Sequence, residues 1–364
     1  MGNEAHNDIS GLLRSQWYRN RKPRRNRMHS PDEYLETLYQ ETISLHKKAY
    51  DEQWRQELKN TFQDVLGRFQ EEKRRFDYNV LEKTEMGEYT RIRAEIVTIH
   101  PMKMPIYVLI PKTKLEKAPG VVAIHGHGYG SKAVVGLTAD GSPMKEEEYH
   151  KSFAVELAKR GVVVIVPELV GFGDRKLKRD RGIGKPTDNS CYMLASQLLL
   201  FGKTLAGLRV AECKRVIDFV MTLDVVDGSK IGCMGISGGG LVAAFTSALD
   251  ERICATVISG YTNTFKSSIM SRRHCLDNYI PQILNYAEMP ELIGLIAPRP
   301  LFIEAGANDH LFPVISVHEA IEKLRAIYHS FDATGHLQSH IFPGGHEICG
   351  EKSFDWLIAQ LTCS

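Results

Sequence analysis

The chain has 364 residues, with 46 Lys+Arg against 44 Asp+Glu, 43% hydrophobic and 25% charged residues. It is too apolar and too evenly charged to be disordered as a whole, and its composition excludes collagen-like, coiled-coil and small disulfide-framework classes. A net charge of +2 gives no general reason to expect a nucleic-acid partner.

The first residues, MGNEAHNDIS, carry no apolar stretch behind a basic start, so no secretory signal is expected. They resemble a myristoylation start only weakly, because His6 stands where Ser or Thr would be wanted. A spanning helix needs roughly 18 consecutive apolar residues, and none is present. The expectation is a cytoplasmic protein without membrane contact. Seven cysteines, at 191, 213, 233, 254, 275, 349 and 363, are widely spaced and include no CxxC pair. They read as reduced thiols, with Cys233 and Cys254 in apolar runs. Residues 14–27 are basic, with Arg14, Arg19, Arg21, Lys22, Arg24, Arg25 and Arg27 around Trp17 and Tyr18. A nucleic-acid arm is one reading. Glu33, Glu36 and Glu41 follow at once and favour a solvated extension instead.

Residues 31–75 have spaced apolar positions in a charged background. Leu35, Leu38 and Tyr39 suggest one helix, opened by Ser30 as cap and Pro31 in the first turn. Trp54, Leu58, Phe62 and Leu66 suggest another. Residues 1–80 therefore read as a helical N-terminal extension. It could cover a sheet edge or build a dimer contact, so a homo-oligomer is possible. TRIRAEIVTIH and PIYVLIP then change the period to that of two antiparallel strands joined near Pro101–Lys103. After Gly120 apolar strands are expected at 121–126, 162–167, 231–236, 253–259, 299–306 and 336–342. Helices are expected at 147–160, 204–221, 239–249, 315–328 and 353–361. Such alternation implies an α/β fold with a mostly parallel central sheet covered by helices on both faces, over residues 81–364. The long stretches 168–202 and 262–296 read as insertions at the carboxyl edge of the sheet, where ligands bind.

Gly235-Ile236-Ser237-Gly238-Gly239 matches G-x-S-x-G, between an apolar strand and a helix. This setting lifts a serine hydroxyl above the sheet at a helix N-terminus, where developing negative charge is favoured. A serine nucleophile needs a base, and the base needs an orienting acid, in the order Ser, Asp or Glu, His. Asp309 follows the strand RPLFIEAG, and His346 follows HLQSHIF. All three therefore fall at one sheet edge. His336, His340 and Glu304 compete less well, because they open a strand or lie within one. The oxyanion donors are expected to be the N–H groups of Gly238 and His127, with Gly128 second, from the turn His125-Gly126-His127-Gly128. His125 and His127 lack a nearby carboxylate or cysteine trio in sequence, so neither a metal nor another cofactor is expected. Tyr261, Phe265, His274 and Tyr279 are candidates to line the substrate pocket. Glu168 and Asp174 flank the Gly171-Phe172-Gly173 turn and read as turn-stabilising.

The elbow, the HGHG turn, Asp309 and His346 resemble the α/β-hydrolase superfamily over roughly residues 90–362. More narrowly, the chain is similar to dienelactone-hydrolase-like and acetyl-xylan-esterase-like bacterial serine hydrolases. Ser259-Gly260-Tyr261, His274-Cys275, Tyr279-Ile280-Pro281 and Ala297-Pro298-Arg299-Pro300-Leu301 carry the narrower likeness. The resemblance implies cleavage of small-molecule carboxylic esters through an acyl-serine. Ser237 stands where dienelactone hydrolases use cysteine. Gly238 stands where acetyl-xylan deacetylases have Gln, and no R-G-Q motif is present. A serine peptidase of the same fold is the alternative, and a non-enzymatic binding protein a third reading.

Overall fold

The structure is a computed structural model that describes residues 30–46, 49–69, 78–112 and 116–362. The basic segment 14–27 lies outside the described residues. The chain forms two compact units, Met1–Leu45 and His46–Ser364. The first contains helix α1, Pro31–Ser44, with proline at its first turn as expected. Ser30 precedes it in an extended conformation, but its side chain makes no cap hydrogen bond.

The second unit opens with helix α2, Glu52–Leu66. The Asp51 carboxylate accepts from the Trp54 N–H at 2.7 Å and caps its start. Trp54, Leu58, Phe62 and Leu66, four apart, fall on one face and are buried. The Phe62 ring meets Phe245 edge-on at 4.8 Å. The helix is therefore part of the main core, and the compact units divide after Leu45 rather than near residue 80.

Nine strands form one sheet: β1 Tyr78–Glu85, β2 Tyr89–Val97, β3 Lys103–Pro111, β4 Ala118–Ile124, β5 Val163–Pro167, β6 Val226–Ile236, β7 Ile253–Ser259, β8 Leu301–Gly306 and β9 Leu337–Phe342. Their order is β1-β2-β3-β5-β4-β6-β7-β8-β9. Pairings from β1 through β3 to β5 are antiparallel, and those from β5 to β9 are parallel. Strand β1 was not expected from the sequence. Its residues are almost all exposed, so it lacks the apolar alternation that marks a half-buried strand; backbone pairing with β2 holds it.

The remaining helices are α3 Phe153–Lys159, α4 Cys191–Leu199, α5 Leu205–Val220, α6 Gly238–Leu249, α7 Met289–Gly294, α8 Val314–Ser330 and α9 Ser353–Thr362. The helix expected over 147–160 is shorter than its pattern and starts only at Phe153. Alternate residues of the central strands face opposite cores. Val122 and Ile124 of β4 join Phe62, Val216, Phe245 and Leu324. Val121 and Ala123 join Phe153, Leu157, Phe354 and Leu357. Burial on both faces explains the nearly continuous apolar strands. Among the described residues no helix is long and apolar enough to cross a membrane.

Phe62→Ala removes a fully buried ring that joins α2 to α6. We expect it to lower unfolding free energy by about 3–5 kcal/mol in urea titrations. A loss below about 1 kcal/mol would show that α2 is not part of the cooperative core.

Candidate active site

Ser237 follows β6 and immediately precedes α6, with φ 56° and ψ −123°. That positive φ is uncommon for a residue with a side chain. It persists because the surrounding backbone leaves no slack. The Ser237 N–H donates to Ser259 O at 3.0 Å, tying the turn to the end of β7. A Cβ on Gly239 would collide with the carbonyl oxygens of Ile124 and His125, and one on Gly235 with Gly239 O. Only glycines let α6 start this close to the sheet.

Asp309 follows β8 and is 4% exposed. Its Oδ1 accepts from the N–H groups of Leu311 at 2.8 Å and Phe312 at 3.1 Å. Its Oδ2 lies 2.7 Å from Nδ1 of His346, in the loop after β9. The His346 ring is stacked near Phe312 and Tyr149, each with centroids 5.8 Å away. Gly260, directly after β7, lies against the same ring: a Cβ there would stand 3.2 Å from His346 Cε1 and 3.8 Å from Asp309 Oδ2. Among the described residues Ser237 Oγ makes no hydrogen bond to His346. The Ser237 turn and the His346–Asp309 pair meet through Ser259 and Gly260. The structure thus brings the three sequence-selected residues to one sheet edge in the expected order.

The turn after β4 is fastened by side chains that sequence reasoning did not select. The Gly126 N–H donates to Nε2 of His150 at 2.9 Å, and the Tyr149 hydroxyl donates to His127 O. A Cβ on Gly126 would stand 3.2 Å from Ser237 Cβ, which places this turn beside the serine. A Cβ on Gly238 would meet the His127 ring at 2.9 Å. His127 and Gly238 are therefore adjacent. Gly238 is the first residue of α6, where N–H groups have no partner within the helix. Gly128 passes the His150 ring.

His125 is fully buried behind this turn. Its Nε2 accepts from the Leu169 N–H at 3.0 Å, so its proton is on Nδ1, 2.8 Å from Gly126 O. Burial holds its pKa down to about 3. Glu168 stands 3.8 Å away and accepts from Ser131 N–H at 3.2 Å and Ser131 Oγ at 2.5 Å. Burial pushes its pKa up to about 7. The Glu168 carboxylate thus fastens Ser131 in the loop after β4, not the Gly171-Phe172-Gly173 turn it was expected to stabilise, while Asp174 pairs with Arg93.

Of the pocket candidates, Tyr261 and Phe265 are buried in the core, because their rings are better covered than wetted. Tyr261 still touches the site indirectly, 5.6 Å from the Phe312 ring. His274 is half-buried, 5.3 Å from Phe312, and its Nε2 is 3.0 Å from Ser268 Oγ. Tyr279 is exposed, and its hydroxyl donates to Ile269 O at 3.0 Å. The stretch 168–202 contributes Phe172 and Cys191 instead. Phe172 lies edge-on to the His127 ring at 5.1 Å, and the Arg209 guanidinium sits over it at 4.9 Å. Arg209 pairs with buried Asp277, which lies 3.8 Å from Nε2 of His127. Burial opposes the Asp277 charge, but His127 and Arg209 outweigh it and hold the carboxyl below its ordinary range.

Glu304 is the other buried carboxylate the sequence undervalued. It accepts from Ser259 Oγ at 2.9 Å, Cys349 N–H at 3.0 Å, Gly350 N–H at 2.9 Å and Ser353 Oγ at 2.6 Å. It fastens the far side of the His346 loop. A charged residue inside the apolar run RPLFIEAG was the available signal. His336 lies 2.7 Å from Pro298 O at the opposite sheet edge.

A model of the abhydrolase family matches residues 29–330. The chain belongs to the abhydrolase family. Its sheet order, crossover helices and Ser237 turn are those of an α/β-hydrolase fold. The Bacillus subtilis (strain 168) protein YtaP is 30% identical over 232 residues, covering 62% of this chain and 72% of YtaP. A glucuronoyl esterase from Solibacter usitatus superimposes with a TM-score of 0.62 at 15% identity, covering 84% of this chain and 91% of that one. An acetyl xylan esterase from Paenibacillus sp. R4 superimposes with a TM-score of 0.54 at 15% identity, covering 88% and 99%.

His125 and Glu168 give the fold a pH signature. The folded state keeps His125 unprotonated down to about pH 3, so its contribution is complete above roughly pH 6.5 and is lost as pH falls. The raised Glu168 works in the opposite sense: its contribution is complete below roughly pH 4.3 and is lost as pH rises through about 7. Between these limits the two slopes oppose each other. In Glu168→Gln the His125 slope stands alone. The variant's Tm should therefore fall more steeply than wild type as pH drops from 6.5 to about 4.5. Calorimetry at intervals across this range checks it, and parallel curves would contradict it.

Proposed function

We propose that this abhydrolase is a serine hydrolase that cleaves small carboxylic esters through an acyl-serine. The observation that carries the reading is the strained Ser237 turn at the same sheet edge as a His346–Asp309 pair 2.7 Å apart. The fold-level likeness to an acetyl xylan esterase and a glucuronoyl esterase supports the ester class.

In this reading Ser237 Oγ attacks the ester carbonyl as His346 Nε2 takes its proton. Asp309 holds the proton of His346 on Nδ1 and stabilises the imidazolium. Its other oxygen is already fixed by two backbone donors, so it needs no rearrangement to do so. The tetrahedral oxyanion is met by the N–H groups of Gly238 and His127, with Gly128 alongside. His346 then protonates the departing alcohol. Water, activated by the same imidazole, releases the acid and restores Ser237. No step requires a cofactor. The catalytic work lies wholly within the unit that begins at His46. The role of the Tyr149, His150 and His125 contacts is to hold the oxyanion turn before substrate arrives, so that little reorganisation accompanies the reaction.

Ser237→Ala should lower turnover of p-nitrophenyl acetate by about 10⁴-fold or more, and Asp309→Asn by about 10⁴-fold, with folding unchanged. Wild-type enzyme should leave peptidyl p-nitroanilides uncleaved. Full turnover by Ser237→Ala would overturn the serine mechanism. Faster cleavage of the anilides than of the esters would favour a peptidase.

A further inference from the structure

The turn beside Ser237 also belongs to a second cluster. We propose that His127, Cys191 and Cys275 form a binding site for a thiophilic divalent cation of the zinc class. The three residues come from separate segments: the turn after β4, the first residue of α4, and the loop before the turn Leu276–Asn278. Their ligand atoms, one ring nitrogen and two sulfurs, all lie within 4.8 Å of one another. Ligands held about 2.3 Å from a tetrahedral zinc stand roughly 3.8 Å apart. A contraction of about 1 Å, within reach of side-chain rotation, closes the set.

Three further observations point to a ligand there. Nε2 of His127 is buried, and no oxygen or nitrogen of the described residues satisfies it. The ring has little room to turn, because Phe172 stands edge-on to it and a Cβ on Gly238 would meet its Cε1 and Nδ1 at 2.9 Å. Second, an outer donor is in place: Nη2 of Arg209 lies 3.1 Å from Cys191 Sγ, while Nη1 pairs with Asp277. Arg209 and Asp277 neutralise each other, and Asp277 is held further by Asn278 Nδ2 at 2.7 Å. Two thiolates and a neutral imidazole would then neutralise a divalent ion, leaving no net charge buried in the cluster. Third, the cluster has an approach. The His127 side chain is 31% exposed and Cys275 is half-buried, whereas Cys191 is closed off. Water takes the fourth position. Binding leaves both sulfurs as thiolates and the imidazole neutral, and the protons these groups carried pass to solvent, with no change in oxidation state.

The sequence argued against a metal because His125 and His127 had no cysteine neighbours along the chain. Tertiary structure supplies them from 64 and 148 residues beyond His127. The inference does not depend on Ser237 chemistry, and its readout is spectroscopic.

The test uses the full chain, freed of metal by chelator and kept reduced. Titration with Co²⁺ should reach one equivalent and give an intense near-ultraviolet thiolate-to-cobalt band, which one equivalent of Zn²⁺ abolishes. The band should be lost in Cys191→Ser/Cys275→Ser and lost or strongly weakened in His127→Gln, at unchanged circular dichroism. Should the double variant fail to fold, wild type alone decides: the band must appear, and Zn²⁺ must protect Cys275 from alkylation. Absence of the band in wild type, or an unchanged titration in a folded double variant, overturns the proposal.

Discussion

The conformation of Ser237 is the constraint around which the rest of the site is arranged. A positive φ on a side-chain-bearing residue typically costs on the order of 1–3 kcal/mol, and nothing local relieves it. The compensation is tertiary. Strand β6 is buried along its last six residues, the Ser237 N–H is taken by Ser259 O, and α6 is pressed so close that Gly235 and Gly239 admit no side chain. A loop could not sustain this turn. The parallel sheet can, because its hydrophobic faces hold both flanking elements in place.

Around that turn, buried polar groups act as fasteners. Glu304 joins β7 and β8 to the loop that carries His346 and to the start of α9. His125 and Glu168 hold the turn after β4 without carrying a full charge pair into the core. Arg209 and Asp277 hold the region behind His127 differently, as a buried ion pair. Each is fully engaged by backbone or side-chain partners, which makes burial of the polar atoms tolerable and the geometry specific. Loops that would otherwise wander are thereby held at the sheet edge where the chemistry is proposed.

The central strands and long crossover helices were legible because their hydrophobic patterns are those of elements buried on one or two faces. The same logic explains what was misread. Strand β1 has no buried face and therefore no alternating pattern. Helix α2 shows a clear four-residue stripe, yet a stripe says only that something will cover it. That Phe245 does so, placing α2 in the main core, is a long-range fact. Tyr149 and His150 sat in a stretch patterned like a helix, and the chain instead spends them on His127 and Gly126.

The order of Ser237, Asp309 and His346, after β6, β8 and β9, was readable from the chain alone, because a parallel sheet delivers every strand's carboxyl end to the same edge. Local chemistry also marked the G-x-S-x-G turn, since only small residues permit it. The sequence could not determine which polar residues would support that edge, or that Cys191, Cys275 and Asp277 would gather behind His127. Those groups come from insertions whose paths follow no repeating pattern. Their positions were decided only when burial forced each polar atom to find a partner across the fold.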